Sequence, residues 1–448
     1  MKALSNYTIL ALFVVFIVSQ FVQYSMLTGI YAGLTAVIIL VSLFYGRGIQ
    51  QKFGVAMTLI GVTVFIVQQS SFDLWVQGIT KNFPLVFLIV IVPLLGIPIS
   101  LGKYHEHLAD LTAKFQKKPH FLYLMVSGMF TLIAPITNMG SIYIVHSMID
   151  RLKLPAGFLG RVYVRGVSSV NTWSPYFASV FLVVYSLNVP VYQYLPYGLL
   201  LSFFQVLVAY LLFTYVEVKT MTFDLGSSVG ERSNRKLFEL AAALILITGF
   251  IFIFEPLVDL NVSVLISLIV LILSCFWGFY LSEGKAFFKE LKEYMGNIFP
   301  QKSNEISLLL TAGFFGVVLA ETPVASVINV IWEGLASVSV FVLILGTIII
   351  VALLSFIGVH QIVTASTIIA TVSYESLGID VMTMAMTLLS AWGVSVTVSP
   401  VTPVIAIVTS IIKENPFKII LRWNLPYAII LAVVHSFVIY AIHLLWLS

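Results

Sequence analysis

The sequence predicts an all-α, polytopic membrane protein with about 11 transmembrane helices plus two re-entrant hairpins, in two inverted-topology repeats. Three observations support this fold class. Of the 448 residues, 60% are hydrophobic and only 9% are charged, and the mean hydropathy is +1.06. Apolar runs long enough to cross a bilayer recur along the chain. Polar breaks inside four of these runs recur in the same order in the two halves.

Uninterrupted apolar runs of spanning length are predicted to be membrane helices. They lie at 7–22, 27–45, 53–70, 84–101, 195–216, 236–255, 261–282, 306–322 and 424–446. The first run follows Lys2 and lacks a small-residue cleavage site. We therefore expect it to be a retained helix and not a signal peptide.

Four further apolar stretches are too long for one straight crossing of a hydrocarbon core about 30 Å thick. They lie at 121–149, 156–187, 341–373 and 380–412. Each contains a polar break, and two of the breaks end in Ser174-Pro175 and Ser399-Pro400. A broken membrane helix leaves backbone groups unpaired, which is tolerated only where protein or a watery cavity covers them. Matching breaks in two halves of a chain are typical of one central binding site.

The distribution of positive charge predicts how these stretches cross the membrane. If the first and third are re-entrant hairpins and the second and fourth are broken spans, nearly all of the 23 Lys and Arg residues face the cytoplasm. Lys81 alone falls outside, while Arg161 and Arg165 lie within the first broken span. If the hairpins were full spans, the basic loop at 217–236 would lie outside. The sequence therefore predicts a protein of the cytoplasmic membrane with the N-terminus inside and the C-terminus outside.

This topology divides the chain into four parts with an inverted relation between the two repeats. The parts are an extra N-terminal helix at 1–26, a first repeat at 27–216, a cytoplasmic linker at 217–235 and a second repeat at 236–448. Segments 102–119 and 323–340 occupy matching places and are predicted to be interfacial helices. Segment 283–305 is predicted to be a further surface helix on the cytoplasmic side.

The acidic residues limit the chemistry of a central site. All 19 Asp and Glu residues are expected in loops or near helix ends, with Glu321 the nearest to membrane depth. Proton pumps and cation/proton antiporters usually carry a carboxylate at the middle of the membrane, so the pattern favours an anion site. No enzyme or nucleotide-binding motif of the HExxH, GxSxG or P-loop type occurs. The pI near 8.9 is attributed to loop lysines and not to nucleic-acid binding.

The polar side chains at the breaks are the candidate site. Freed helix N-termini attract anions, while unwound carbonyls and neutral Ser, Thr and Asn oxygens are suited to a cation such as sodium. The candidate solute-binding residues are Asn138, Gly140, Ser141, Arg165, Asn171, Thr172, Ser174, His360, Thr364, Thr397, Ser399 and Thr402. The candidate sodium ligands are Thr137, Asn138, Ser169 and Asn171.

Two charged or titratable residues at the breaks leave alternatives open. Arg165 would pair with a solute carboxylate, or would extend with Arg161 to the cytoplasmic surface. His360 would couple protons, or would simply hydrogen-bond across the second hairpin tip. We expect the surface role for Arg161.

The stretch 121–187, which includes VSGMFTLIAPITNMGSIYIV and GRVYVRGVSSVNTWSPYF, resembles the ion transporter superfamily. That group includes divalent anion–sodium symporters, arsenite permease-like proteins and membrane subunits of tripartite dicarboxylate transporters. The second half follows the same order and ends in IGVHQIVTAS, which departs from the family pattern because it lacks an Asn. The resemblance implies inverted repeats, two hairpins and a sodium ion at each pair of hairpin tip and broken helix.

Together these features predict a secondary active transporter and not an enzyme. The predicted solute is a small, organic anion moved by alternating access, coupled to sodium or protons, with no cofactor other than a sodium ion. The lipid bilayer is the expected partner, and a homodimer is expected from the resemblance. The alternatives are a cation/proton or metalloid exporter, and a lipid-handling or non-transporting membrane subunit.

Overall fold

The computed structural model describes residues 2–21, 25–102, 104, 118–223, 235–258, 260–281 and 284–447. Helices are the regular elements throughout these ranges, which confirms the all-α membrane fold. Nine of the described helices are long and apolar enough to cross a membrane. They are Met26–Tyr45, Gly48–Val67, Phe72–Leu101, Pro119–Thr137, Val191–Thr220, Val262–Leu281, Pro300–Ala320, Val381–Ile412 and Lys418–Leu445. All but Pro119–Thr137 coincide with predicted spans, and that helix forms the first arm of a predicted hairpin.

Two further predicted spans are also helical, although their apolar parts are shorter. The N-terminal run forms the helix Lys2–Ser19, and the run at 236–255 forms Arg235–Phe254. The predicted linker begins later than expected, because the preceding span continues as helical turns to Thr220. Residues 224–234 of the linker and most of segment 102–119 lie outside the described residues.

The first polar breaks divide the chain into short helices as predicted. Hairpin 1 consists of Pro119–Thr137 and Gly140–Ile149, and broken helix 1 consists of Ala156–Val170 and Ala178–Ser186. Asn138 turns the hairpin with a positive φ of 53° and a ψ of −132°, a conformation that glycine adopts most readily. Broken helix 1 is interrupted near Pro175, which lacks the amide N–H that a continuous helix needs.

The second half repeats this order. Hairpin 2 consists of Val340–Phe356 and Gln361–Thr371, and broken helix 2 consists of Val381–Val398 and Pro403–Ile412. Gly358 turns the second hairpin at a φ of 109°, which glycine adopts without a Cβ clash. The two broken helices cross closely, because the Ser168 hydroxyl donates a 2.7 Å hydrogen bond to the Gly393 carbonyl. Each half then ends in a long span.

One predicted boundary is wrong. The helix expected at 306–322 begins at Ile298, so the end of segment 283–305 belongs to this span, here called the scaffold helix (Ile298–Ala320). Polar residues extend it because they find partners: Lys302 pairs with Glu305 at 3.1 Å, and the Asn304 side chain accepts the Arg47 N–H. The preceding surface helix is Lys285–Met295, and the segment predicted to be interfacial forms Pro323–Val338.

Candidate functional site

The four breaks meet around one cavity of about 70 Å³, here called the central cavity. A volume of this size holds several water molecules or a small polar group. The residue that precedes each short helix lines it: Met139, Phe177, His360 and Thr402. Each helix N-terminus carries a partial positive charge, so four positive helix ends are directed to the same space.

The first-half break holds its own polar groups in place. The Asn171 side chain lines the cavity and donates to the Val167 carbonyl at 3.1 Å. The Ser179 hydroxyl, on the other side of the break, donates to the Asn171 carbonyl at 2.8 Å. The two short segments of broken helix 1 are therefore tied together across the interruption.

The two halves differ in how the helix N-termini are capped. In the second half, His360 Nδ1 accepts the Ile362 N–H at 3.2 Å and the Thr402 hydroxyl accepts the Ile405 N–H at 3.5 Å. Met139 and Phe177, at the corresponding places in the first half, make no side-chain cap. At the first hairpin tip, the Ser141 and Ile142 N–H groups donate instead to the Asn138 and Met139 carbonyls, at 3.0 and 3.3 Å. Backbone carbonyls thus take the place of a side-chain cap there.

Four of the predicted solute-binding residues line the central cavity, and the others do not. Asn138, Asn171, His360 and Thr402 line it. The predicted residues outside the lining are Gly140, Ser141, Arg165, Thr172, Ser174, Thr364, Thr397 and Ser399. Among them, four buried hydroxyls at the breaks have no hydrogen-bond partner in the described part of the chain: Ser141, Ser174, Thr364 and Ser399. Buried hydroxyls are normally paired, so these mark the breaks as places of unused hydrogen-bonding capacity.

Two of the four predicted sodium ligands line the central cavity, and two do not. Asn138 and Asn171 line the cavity, whereas Thr137 and Ser169 do not. The Thr137 hydroxyl donates to the Ile133 carbonyl at 3.0 Å, and the Ser169 hydroxyl donates to the Gly166 carbonyl at 2.8 Å. Both hydroxyls are therefore bound to their own helices, although each oxygen keeps lone pairs.

Arg165 is not placed to meet a solute. Its guanidinium makes a bidentate pair with Glu217, at 2.9 and 2.7 Å, and lies over the ring of Tyr427. Further donations reach the Asn424 side chain at 3.1 Å and the Trp423 carbonyl at 2.6 Å. The expectation that Arg165 binds a solute carboxylate is corrected, because a protein carboxylate and two oxygen acceptors engage its donors.

Arg161 does not extend to the surface as expected. It is buried, and its Nε lies 3.0 Å from the same Glu217 carboxylate. Its Nη1 donates to the Gly157 carbonyl at 2.8 Å, and the guanidinium lies over the Trp423 ring. One buried carboxylate thus pairs with two arginines, and the contacts of Arg165 with Trp423 and Asn424 make this cluster a tie between the two halves of the chain.

The sequence analysis missed several residues of the central cavity. Gln50, Ser179, Glu305, Gln361 and Trp392 also line it. Glu305 overturns the expectation that no carboxylate lies at a central site. It was missed because it precedes the apolar run of the scaffold helix, and the i, i+3 spacing from Lys302 was the only local signal.

Comparison with known protein families and with curated proteins finds no match to this sequence. Solved structures do match. The YdaH transporter of Alcanivorax borkumensis aligns with 79% of this chain and 84% of its own, at a TM-score of 0.53 and 16% identity. MtrF of Neisseria gonorrhoeae, from a class of antimetabolite efflux pumps, aligns with 80% of each chain at a TM-score of 0.54 and 15% identity. The chain has the fold of membrane transporters. The likeness does not single out the ion transporter superfamily, which stays a resemblance.

Proposed function

We propose that this protein is a secondary active transporter of a small organic anion. The observation that carries the proposal is the convergence of four helix N-termini on the central cavity. Interrupted helices that direct their positive ends to one space are the usual device by which such transporters hold anionic groups. The transporter fold of the two solved relatives supports the proposal.

Alternating access is the proposed mechanism. Hairpin 2 packs against the scaffold helix through its second arm, Gln361–Thr371, and against broken helix 2 through its first arm, Val340–Phe356. Rocking of the hairpins and broken helices against the scaffold helix would open the central cavity to one side of the membrane at a time. The unpaired hydroxyls at the breaks lie outside the cavity lining, so they would meet a solute or an ion only once the breaks rearrange during this movement.

Sodium remains the first candidate for the coupling ion. Asn138 and Asn171 supply neutral oxygens to the cavity, and Asn171 directly follows the helical segment Ala156–Val170, whose carbonyl end is negative. Protons are the alternative, through His360 at the second hairpin tip. The direction of transport stays open, and the efflux activity named for MtrF makes export a candidate beside import.

The test uses Asn138→Ala and Asn171→Ala in purified protein reconstituted in proteoliposomes. Radiolabelled succinate, benzoate and phosphate serve as probes under an inward sodium or proton gradient. We expect accumulation of at least one probe in the parent protein and its loss in both variants. Gly249→Ala is the matched control, because a Cβ there meets no atom within 4 Å. Equal accumulation in the parent and in both Asn variants would contradict the site, and no accumulation of any probe would contradict anion transport.

A further inference from the structure

The charges that line the central cavity are of both signs. Four helix N-termini supply partial positive charge, and the described part of the chain adds no Lys or Arg side chain to the lining. Glu305, from the scaffold helix, is the charged side chain in the lining among the described residues. A solute that is only an anion would bring its charge into a space that already holds a carboxylate.

Glu305 is held by an ion pair that a ligand can replace. Its partner Lys302 lies on the same helix, with 3.1 Å between Lys302 Nζ and Glu305 Oε2. The Glu305 side chain is 37% exposed and that of Lys302 is 16% exposed. Half-exposed pairs of this spacing are weak, because water screens them and two long side chains must be ordered. An ammonium group in the cavity would therefore compete with Lys302 at little cost.

Neutral donors and acceptors complete the surroundings. Gln361 lines the cavity and is 2% exposed, and its Nε2 has no hydrogen-bond partner in the described part of the chain. This buried amide is a donor for a solute oxygen. His360 accepts a backbone N–H through Nδ1, so its ring proton is on Nε2 and is also available for donation.

We propose that the solute is a zwitterion, with a carboxylate bound at the helix N-termini and an ammonium group bound by Glu305. The inference rests on the proposed transport function and its carboxylate-binding helix ends, and changes the solute from a simple anion to an amino-acid-like molecule that also carries an ammonium group. Glu305 is the specificity-determining residue, and Lys302 is the counter-ion that occupies it when no solute is bound.

The experiment compares three matched probes in each of two sizes. Alanine, propionate and ethylamine form the small set; phenylalanine, 3-phenylpropionate and 2-phenylethylamine form the large set. Binding to the purified full-length protein is measured by isothermal titration calorimetry for the parent, Glu305→Gln, Glu305→Asp and Lys302→Met. Glu293→Gln is the control, because this exposed glutamate lies on the neighbouring surface helix outside the cavity lining.

In the parent protein, we expect the zwitterion of at least one set to bind more tightly than its carboxylate-only and ammonium-only analogues. Glu305→Gln should weaken zwitterion binding about tenfold or more, since a charge-assisted hydrogen bond is lost. Glu305→Asp should bind the zwitterion more tightly than Glu305→Gln but more weakly than the parent. Lys302→Met should bind it at least as tightly as the parent. The control should bind as the parent does.

Three outcomes would overturn the inference. They are equal binding of zwitterion and carboxylate, no loss in Glu305→Gln, and no binding of any zwitterion. Tight binding of a carboxylate-only probe that is unchanged in Glu305→Gln would leave anion transport standing and remove the zwitterion. The proposed transport site would be contradicted as well only if Asn138→Ala and Asn171→Ala also left transport unchanged.

Discussion

Removal of the Glu217 charge tests the buried arginine cluster most directly. Glu217→Gln keeps the size of the side chain but leaves Arg165 and Arg161 without their shared carboxylate. The side chains of Arg165 and Glu217 are only 1% and 8% exposed, and Arg165 makes hydrogen bonds of 2.9 and 2.7 Å to it. Breaking a buried pair from one side costs about 3–5 kcal/mol, because a charge is left uncompensated.

The control is an exposed pair on the same protein. Lys418 and Glu414 pair at 2.8 Å, with side chains 39% and 27% exposed. Glu414→Gln should therefore cost no more than about 1 kcal/mol. Arg165→Met should cost less than Glu217→Gln, because Glu217 keeps Arg161 as its counter-charge.

The free energy of unfolding is measured for each variant in mixed micelles, by titration with a denaturing detergent and tryptophan fluorescence. The reasoning would be refuted if Glu217→Gln lowered the free energy of unfolding by no more than Glu414→Gln does. It would also be refuted if Arg165→Met lowered the free energy of unfolding by more than Glu217→Gln does, because Glu217 then would not stabilise both arginines.

Two further predictions concern the breaks and the crossing of the broken helices. Gly393→Ala should destabilise the protein by about 1–3 kcal/mol, because the new Cβ would lie 2.6 Å from Gln205 Nε2. In the same measurement, the control Gly249→Ala should keep the free energy of unfolding of the parent, because a Cβ there meets no atom within 4 Å. Asn138→Gly should unfold at a denaturant level at least as high as that of the parent, and should be more stable than Asn138→Ala by about 1 kcal/mol, because glycine adopts the positive φ of 53° without a Cβ clash.

The sequence alone was sufficient where the chemistry is local. Pro175 and Pro400 lack the N–H that a continuous helix needs, and Gly358 readily takes a positive φ. Together with the polar residues around them, they allowed the breaks and the two hairpins to be located from composition and spacing. Apolar run length likewise located the membrane helices but not all of their starts: the span predicted at 84–101 extends over Phe72–Leu101, and the scaffold helix begins at Ile298 and not at 306. In the scaffold helix, the polar residues from Gln301 to Glu305 hid the first two turns, which the ion pair of Lys302 with Glu305 helps to stabilise.

Partners distant in sequence could not be predicted in this way. Arg165 and Asn424 are 259 positions apart, and Arg165 and Glu217 are 52 apart, so no periodicity within one helix connects them. The same is true of Glu305, whose sequence context indicates a surface position. It lines one cavity with His360 and Asn171 because hairpin 2 packs against the scaffold helix, and broken helix 1 packs in turn against hairpin 2 and broken helix 2.

The sequence by itself thus determined the membrane class, the helical fold and the four breaks, because backbone hydrogen bonding and hydropathy act over a few residues. Only the tertiary structure decided which charges face the central cavity. Burial forces each charged group to take the partner that the folded chain brings to it. As a result, Arg161 and Arg165 both pair with Glu217, whereas Glu305 lines the central cavity together with the four helix N-termini.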